Sequence, residues 1–461
     1  MTDLIGRTLH RLGEQLPGRL SMPGDERYAA ATAIWAKPVG RMPRAVVHAR
    51  TPQDVQAAVR AARDCGIAVS VRGGGHDWAG RALCDGLVID LSSMNAVEVG
   101  SDGRAARVSG GARAKDVVAV TDPLGLAAVT GSVGAVGMAG LTLGGGYGPL
   151  IGRFGLALDN LLAAEVILAD GSIVVADPDR DCELFWALRG GGGNFGVVTA
   201  MRHRLHDLPA IRSAILIYPF SEAKTVLERC AEIAALSSAD LTVQVVLVGA
   251  QDGRPMVMIA PTWCGSVKDG EARLAPFFRL GTLLASTGGG MSYGASLSAF
   301  DMFIVNGRRT FMETCWLPAI DSNSIDVLIE TMATAVSPGC AIVTHEFRGA
   351  ASRVAAEATA FGLRRDHVLV EILAALANGS DSLAEQQHQQ WARATLQSFD
   401  ATALPGGYPN LLVAGDPDRV TKSYGPNVSR LLEAKLHYDP DNVFRSAIPL
   451  PVSRDISKSA A

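Results

Sequence analysis

The chain has no C-x-x-C cysteine pair, no G-K-[ST] triplet, no basic excess and no apolar core near its N-terminus. Each absence removes a class of protein. Its seven cysteines (Cys65, Cys84, Cys182, Cys230, Cys264, Cys315, Cys340) lack metal-ligand spacing, which argues against a zinc site and fits free thiols in a reducing compartment. Without G-K-[ST] there is no Walker nucleotide site. A formal net charge of -4 with 19% charged residues offers nothing suited to nucleic acid, so any cofactor phosphate must be met locally. Charges interrupt MTDLIGRTLHRLGEQLPGRL every few residues, so it is no signal peptide, and a cytoplasmic location without a membrane partner is expected.

One uncharged stretch could mislead. Pro123 to Gly152 is thirty residues long, but ten of them are glycine. At roughly 1 kcal/mol per interior glycine relative to alanine, a membrane helix is excluded. The stretch predicts buried irregular backbone around something large.

At 461 residues the chain exceeds one hydrophobic core, so two or three domains and a cleft are expected. The first two hundred residues alternate strand and helix. Thr51-Pro52-Gln53-Asp54 caps a helix that Gly66 closes, and Ile67 to Val71 reads as a strand. Asp-Gly pairs inside Ala96 to Gly110 and Ala163 to Asp177 predict hairpins. From about Ile211, helices (Ser221 to Leu236, Asp321 to Val336, Ser382 to Phe399) alternate with strands (Leu241 to Val248, Pro255 to Ala260, Thr310 to Trp316, Ala341 to Phe347, Val368 to Leu373). The fold class is α+β, with a second domain on an antiparallel sheet and a helix-rich tail.

Gly191, Gly193 and Gly196 match G-x-G-x-x-G, yet a helix precedes them and a strand follows, the reverse of a dinucleotide fingerprint. Four glycine-rich elements remain: Gly73 to Gly75, Gly131 to Gly148, Gly190 to Gly193, and Gly406-Gly407. Each alone is an ordinary turn. Together they suit a large dinucleotide, because glycine lets backbone N–H groups surround an anion and lets backbone approach a flat ring. His76 ends the first run, in VRGGGHDWAG. A neutral imidazole there can attack an electrophilic cofactor carbon.

VRGGGHDWAG (71–80), TGSVGAVGMAGLTLGGGYGPLIGRFGLALDN (130–160), ELFWALRGGGGNFGVV (183–198), YPN (408–410) and YDPDNVF (438–444) together resemble the FAD-linked oxidases of the vanillyl-alcohol oxidase superfamily, in its berberine-bridge-enzyme-like branch. The resemblance implies a two-part FAD-binding domain (residues 1–208 and 403–461) and a substrate domain, 209–402, on an antiparallel sheet flanked by helices. It implies that His76 bonds the 8α carbon of FAD and that Arg72, Gly73, Gly74 and Gly75 cradle the pyrophosphate. Gly80, Val133, Gly137, Gly140, Leu141, Gly144, Gly145, Gly146, Tyr147, Gly148, Asp159, Asn160, Gly193, Asn194, Gly196, Val198, Tyr408 and Asn410 are the remaining cofactor-binding residues it implies. Val133 stands where many relatives carry a second, cysteinyl attachment, so one covalent bond is expected. Val136 replaces a threonine of relatives that oxygenate through the flavin, which favours plain oxidase turnover. The tail Phe444-Arg445-Ser446-Ala447-Ile448 lacks the asparagines that relatives often carry.

The implied chemistry is hydride transfer to flavin from an alcohol, amine or phenolic metabolite, with O2 returning the flavin to its oxidised form and yielding H2O2. A base must take the heteroatom proton. On the strand AIVTHEFRGA, Glu346 is the first candidate and His345, on the opposite face, the second; Glu371 on the neighbouring strand is a weaker alternative. Tyr147 and Trp78 are candidates to shape the ring pocket. The chain is expected to act as a monomer or homodimer. A noncovalent FAD dehydrogenase and a nonenzymatic nucleotide- or carbohydrate-binding protein stay open as alternatives.

Overall fold

The computed structural model describes residues 2–36, 40–249, 253–412, 415–445 and 447–451. Of the segment expected to begin at 403, Val413, Ala414, Ser446 and the last ten residues lie outside them. Two sheets form the first half. Strands β1 (Leu20–Ser21), β2 (Ala45–His48), β3 (Val69–Arg72) and β4 (Leu87–Asp90) pair in the order β1-β2-β4-β3, with β2 and β3 parallel to β4. The crossover from β2 to β3 is the helix Pro52–Asp64. Its start is fixed as the sequence predicts: Asp54 N donates to Thr51 Oγ1 and Thr51 N donates to Asp54 Oδ2, satisfying two amides that lack helical partners.

The second sheet is antiparallel. It contains β5 (Val97–Val99), β6 (Ala105–Ser109), β8 (Leu161–Ile167), β9 (Ile173–Ala176) and β10 (Val197–Arg204), in the order β5-β6-β10-β8-β9, while β7 (Leu126–Ala127) pairs with β11 (His206–Asp207). Both Asp-Gly hairpins form, with Gly103 and Gly171 at positive φ. The helix Cys182–Gly191 precedes β10, so the G-x-G-x-x-G spacing lies between helix and strand.

The large sheet follows: β12 (Ile211–Pro219), β13 (Leu241–Gly249), β14 (Pro255–Trp263), β15 (Ala285–Met291), β16 (Thr310–Leu317), β17 (Cys340–Phe347) and β18 (His367–Ala375), all antiparallel, in the order β15-β12-β14-β13-β17-β18-β16. Alternation gives it two faces. Leu241, Val243, Val245, Leu247, Ile342 and Ile372 share a core with Val226, Leu227, Ile325, Leu328 and Trp391 of the helices Ala223–Leu236, Ser322–Ala333 and Ser382–Ser398. The opposite face of β13, β17 and β18 looks toward the first half. The helices Pro417–Tyr424 and Val428–Tyr438 return the chain there, and Tyr408, Tyr424 and Leu431 join one core with Leu184 and Phe185.

Two expectations need correction. The glycine-rich stretch is not wholly irregular: Met138–Gly144 and Ile151–Phe154 are short helices. The edge strand β15 and the strand β12 were not foreseen; β15 reads ASTGGGM, whose glycines hide a strand pattern and take φ of 129° and 149° at Gly288 and Gly289. No helix among the described residues is long and apolar enough to cross a membrane.

The first glycine run meets the second by direct backbone contact. A Cβ on Gly137 would lie 2.5 Å from Gly74 N. Gly137→Ala is therefore expected to cost about 1–3 kcal/mol by overpacking, read as a lowered urea midpoint. An unchanged midpoint would show that this contact does not constrain the fold.

Candidate active site

Between the first half, the Tyr408–Leu411 segment and the open face of the large sheet lies a cavity of about 600 Å³, within the size range of ligand and cofactor sites. Its lining divides by origin. One wall is backbone-rich, with Gly73, Gly74, Gly75, Gly137, Gly140, Gly193 and Gly196 beside Val133, Leu141 and Val198; the other is the sheet.

His76 lines the cavity at the exit of β3. Its ring lies 4.7 Å from that of Trp35 and 5.7 Å, edge-on, from that of Trp78. Burial pulls its pKa down to about 4, against the opposing pull of Glu371 and Asp77, so the imidazole is neutral with a free lone pair near pH 7. Asp77 holds the loop, accepting from Ala79 N and Ala82 N, and Arg81 donates to the carbonyls of Pro409, Asn410 and Leu412. Neither Trp35 nor Arg81 was foreseen. Arg81 had a faint signal in its i,i+4 spacing from Asp77; Trp35 had none, because its stacking partners lie forty residues away.

Tyr147, Tyr408 and Asn410 also reach the cavity. Gly146 N donates to the Tyr408 hydroxyl at 2.9 Å, and Leu411 N and Leu412 N donate to its carbonyl. Because Arg365 O can only accept, the His367 Nδ1 that lies 2.7 Å from it carries the proton, and Tyr147 OH donates to Nε2 at 2.6 Å. Burial drives the Tyr147 phenol well above its ordinary value and keeps it neutral.

Several residues assigned to the cofactor do not line the cavity, and the reason is visible for each. Arg72 donates to Asp90 at 2.8 Å. Asp159 is held bidentately by the buried Arg364 at 2.8 and 2.9 Å. Asn160 donates to Phe154 O and Leu156 O and pairs with His206; Asn194 donates to Gly191 O and Ile448 O. Gly80 turns the chain at φ 69°. Gly144 and Gly145 seat the C-terminal segment, because a Cβ at Gly144 would meet Asn410 at 2.1 Å and one at Gly145 would meet Tyr408 at 2.8 Å; Gly146 packs on Ala157 and Gly148 on Thr130 O.

The candidate bases separate. His345 and Glu371 line the cavity and face each other, Nε2 to Oε1, at 3.3 Å, with Gln244 Nε2 3.3 Å from His345 Nδ1. Glu346 does not join them. The β13–β17 ladder runs only from Val248↔Ala341 to Val246↔Val343. Beyond it the strands splay, and side chains replace carbonyls: Val245 N donates to Thr344 Oγ1 at 3.0 Å and Val243 N to Glu346 Oε2 at 2.8 Å. Glu346 plugs this seam beside Arg348, with burial raising its pKa. It lines a smaller chamber of about 50 Å³, with Ser213, Thr242 and Thr262, which adjoins the cavity at His345 and Gln244.

A cofactor with a flat ring and a pyrophosphate fits this site. The apolar wall and the runs of glycine leave room at backbone level, and a neutral imidazole stands within it.

Comparison with known proteins agrees. Residues 43–177 match the FAD binding domain family and residues 398–451 the berberine and berberine-like family. The chain is 31% identical over 447 residues to (R)-6-hydroxynicotine oxidase of Paenarthrobacter nicotinovorans, covering 93% of this chain and 96% of that protein. The crystal structure of 6-hydroxy-D-nicotine oxidase from Arthrobacter nicotinovorans superposes with a TM-score of 0.84 at 26% identity, covering 94% of this chain and 98% of that one. Glucooligosaccharide oxidase from Acremonium strictum, described with a 6-S-cysteinyl, 8α-N1-histidyl FAD, shares the fold at a TM-score of 0.82 and 22% identity, with 97% of this chain and 100% of that one covered.

Buried histidines give the fold a pH dependence. Burial lowers His76, His203 and His206 to about 4 and His367 to about 3, so the unfolded chain binds protons that the folded chain refuses. Their contribution is complete above about pH 6.5 and is lost as pH falls toward 4 and 3. Glu313 and Glu346, raised by burial, act in the opposite sense. The thermal midpoint is expected to fall by several degrees between pH 7.5 and pH 5; a rise over that interval would show the carboxyls dominate.

Proposed function

The chain belongs to the FAD-linked oxidoreductases of the berberine-bridge-like family, which oxidise organic substrates, and we propose that it is an oxidase holding FAD by a single covalent bond from His76. The observation that carries this reading is the neutral His76 ring set in a glycine-lined cavity, with Val133 where a second attachment would need sulfur. The histidyl FAD described for glucooligosaccharide oxidase supports it. Residues 1–208 and 403–461 are assigned to the cofactor and 209–402 to the substrate. Bound there, FAD supplies a two-electron hydride acceptor that O2 returns to the oxidised form with release of H2O2.

The protein's own task is to orient the substrate and move one proton. A substrate C–H bears an adjacent O–H or N–H whose proton must leave as the hydride departs, or a high-energy cation results. His345 and Glu371 are assigned to receive it. Their 3.3 Å contact lets the carboxylate stabilise an imidazolium as the proton arrives. Glu371 thereby replaces Glu346 as the carboxylate of choice. Tyr147, locked by His367, and Tyr408, locked by Gly146, form a rigid aromatic wall that excludes water.

Denaturing electrophoresis under ultraviolet light tests the linkage. Wild type is expected to fluoresce and His76→Ala to be dark; fluorescence in the variant would remove His76 from its role. A peroxide-coupled screen of alcohols, amines and phenols tests the oxidase. On any substrate it returns, Glu371→Gln is expected to lower kcat and kcat/KM together by roughly 100-fold or more, while Glu346→Gln, which keeps an acceptor for Val243 N, changes them by no more than about threefold. The reverse ranking would return Glu346 to the base role.

A further inference from the structure

The open face of the large sheet is graded. Along β17, the cavity-facing residues away from the polar row run His345, Val343, Ala341, with Gly339 just before the strand. Along β18 they run Glu371, Leu373, Ala375; along β13, Gln244, Val246, Val248. The rows lie side by side, since Val246 faces Val343, Val248 faces Ala341, and Ala341 faces Leu373. Polar groups stand at one end and side chains shrink toward the other, so the sheet forms an apolar trough that deepens as it leaves His345. At about 3.4 Å per residue, the six steps from His345 to Gly339 span roughly 20 Å.

A cation stands at the far end. Leu376 N donates to Arg309 O at 2.8 Å and Thr310 pairs with Ala375, which fixes Arg308 beside the end of β18 opposite Glu371. Arg308 lines the cavity, is exposed at its mouth, and has no paired carboxylate among the described residues. Its backbone is anchored, because Arg308 bridges Ala36 and Gly307 N donates to Ile34 O. The other carboxylate at the cavity wall, Asp77, is occupied by Ala79 N and Ala82 N.

We infer that the substrate is an elongated, mostly apolar molecule carrying an anionic group, such as a carboxylate, at the end remote from the carbon oxidised. This rests on the oxidase reading of the same cavity. Between its ends the trough receives no side-chain donor or acceptor from β13, β17 or β18, so a sugar chain would bury hydroxyls against valine, alanine and leucine without partners. Glu371 repels an anion from the inner end and Arg308 attracts one to the mouth, so charge sets the orientation in which the oxidisable carbon reaches His345 and Glu371.

Calorimetric titration of the purified holoprotein decides it, with hexanoate, octanoate, decanoate, 1-octanol, octylamine and cellobiose as probes below their micelle concentrations. Octanoate is expected to bind about threefold to fivefold tighter than 1-octanol and tighter still than octylamine, with cellobiose silent. Each added methylene is expected to tighten binding by roughly fourfold until the trough is filled. Arg308→Met is expected to bring octanoate to the level of 1-octanol, and Ala341→Leu to shorten the preferred chain. Octylamine binding best, no gain with chain length, no binding by any probe, or an Arg308→Met variant with the wild-type ranking would each overturn the inference. The flavin absorbance of the same preparation judges the oxidase reading separately, since a colourless protein still ranks the probes by heat.

Discussion

Everything at the site depends on polypeptide backbones touching where side chains would normally keep them apart. Gly74 meets Gly137, Gly144 admits the Asn410 amide, and Gly145 admits the Tyr408 ring. These contacts bring the His76 loop, the helix Met138–Gly144 and the Tyr408–Leu411 segment to one cavity, although some 260 residues separate the last two. A single methyl group at the Gly74–Gly137 contact would fall at 2.5 Å, a separation that packed atoms do not tolerate. Glycine is used here for proximity more than for turning.

The polar groups that fasten these segments are almost all satisfied by carbonyls and amides of distant chain. Arg81 ties the His76 loop to three carbonyls of the C-terminal segment, Gly146 N ties the glycine run to Tyr408, and Arg364 ties Asp159 to the end of the large sheet. A buried guanidinium is tolerable only when so paired. Of the charged groups on the cavity wall, Asp77 and Arg81 are engaged in holding the His76 loop, while Glu371 stands within and Arg308 at the far end of the sheet.

The seam between β13 and β17 decides the chemistry of the sheet. Were the two strands paired to their ends, Glu346 would sit unremarkably on the helix-covered face. Because they part after Val246↔Val343, Thr344 and Glu346 stand in for missing carbonyls, and the carboxylate is consumed in holding the sheet together. His345 remains on the open face, where Glu371 of the next strand can reach it.

The local code was legible. Thr51 and Asp54 mark a helix start, Asp-Gly marks two hairpins, alternation marks most strands of the large sheet, and helix before glycine before strand rules out a dinucleotide fingerprint at Gly191 to Gly196; all of these act within about ten residues, where sequence neighbours are spatial neighbours. The glycine runs around His76 were also readable as segments that meet closely, and they line one cavity. Alternation even separated Glu346 from His345, but it could not say which face of the sheet the helices would cover, nor that two strands would splay, since both depend on packing partners a hundred residues away. That Asp159 and Asn160 lie off the cavity wall was hidden for the same reason: their partners, Arg364 and His206, come near only in three dimensions. The sequence by itself determined which residues could form the site, through backbone freedom and side-chain chemistry. Tertiary structure alone decided which carboxylate faces the cavity, because a buried charge goes where its hydrogen-bond partners are, and those partners come from elsewhere in the chain.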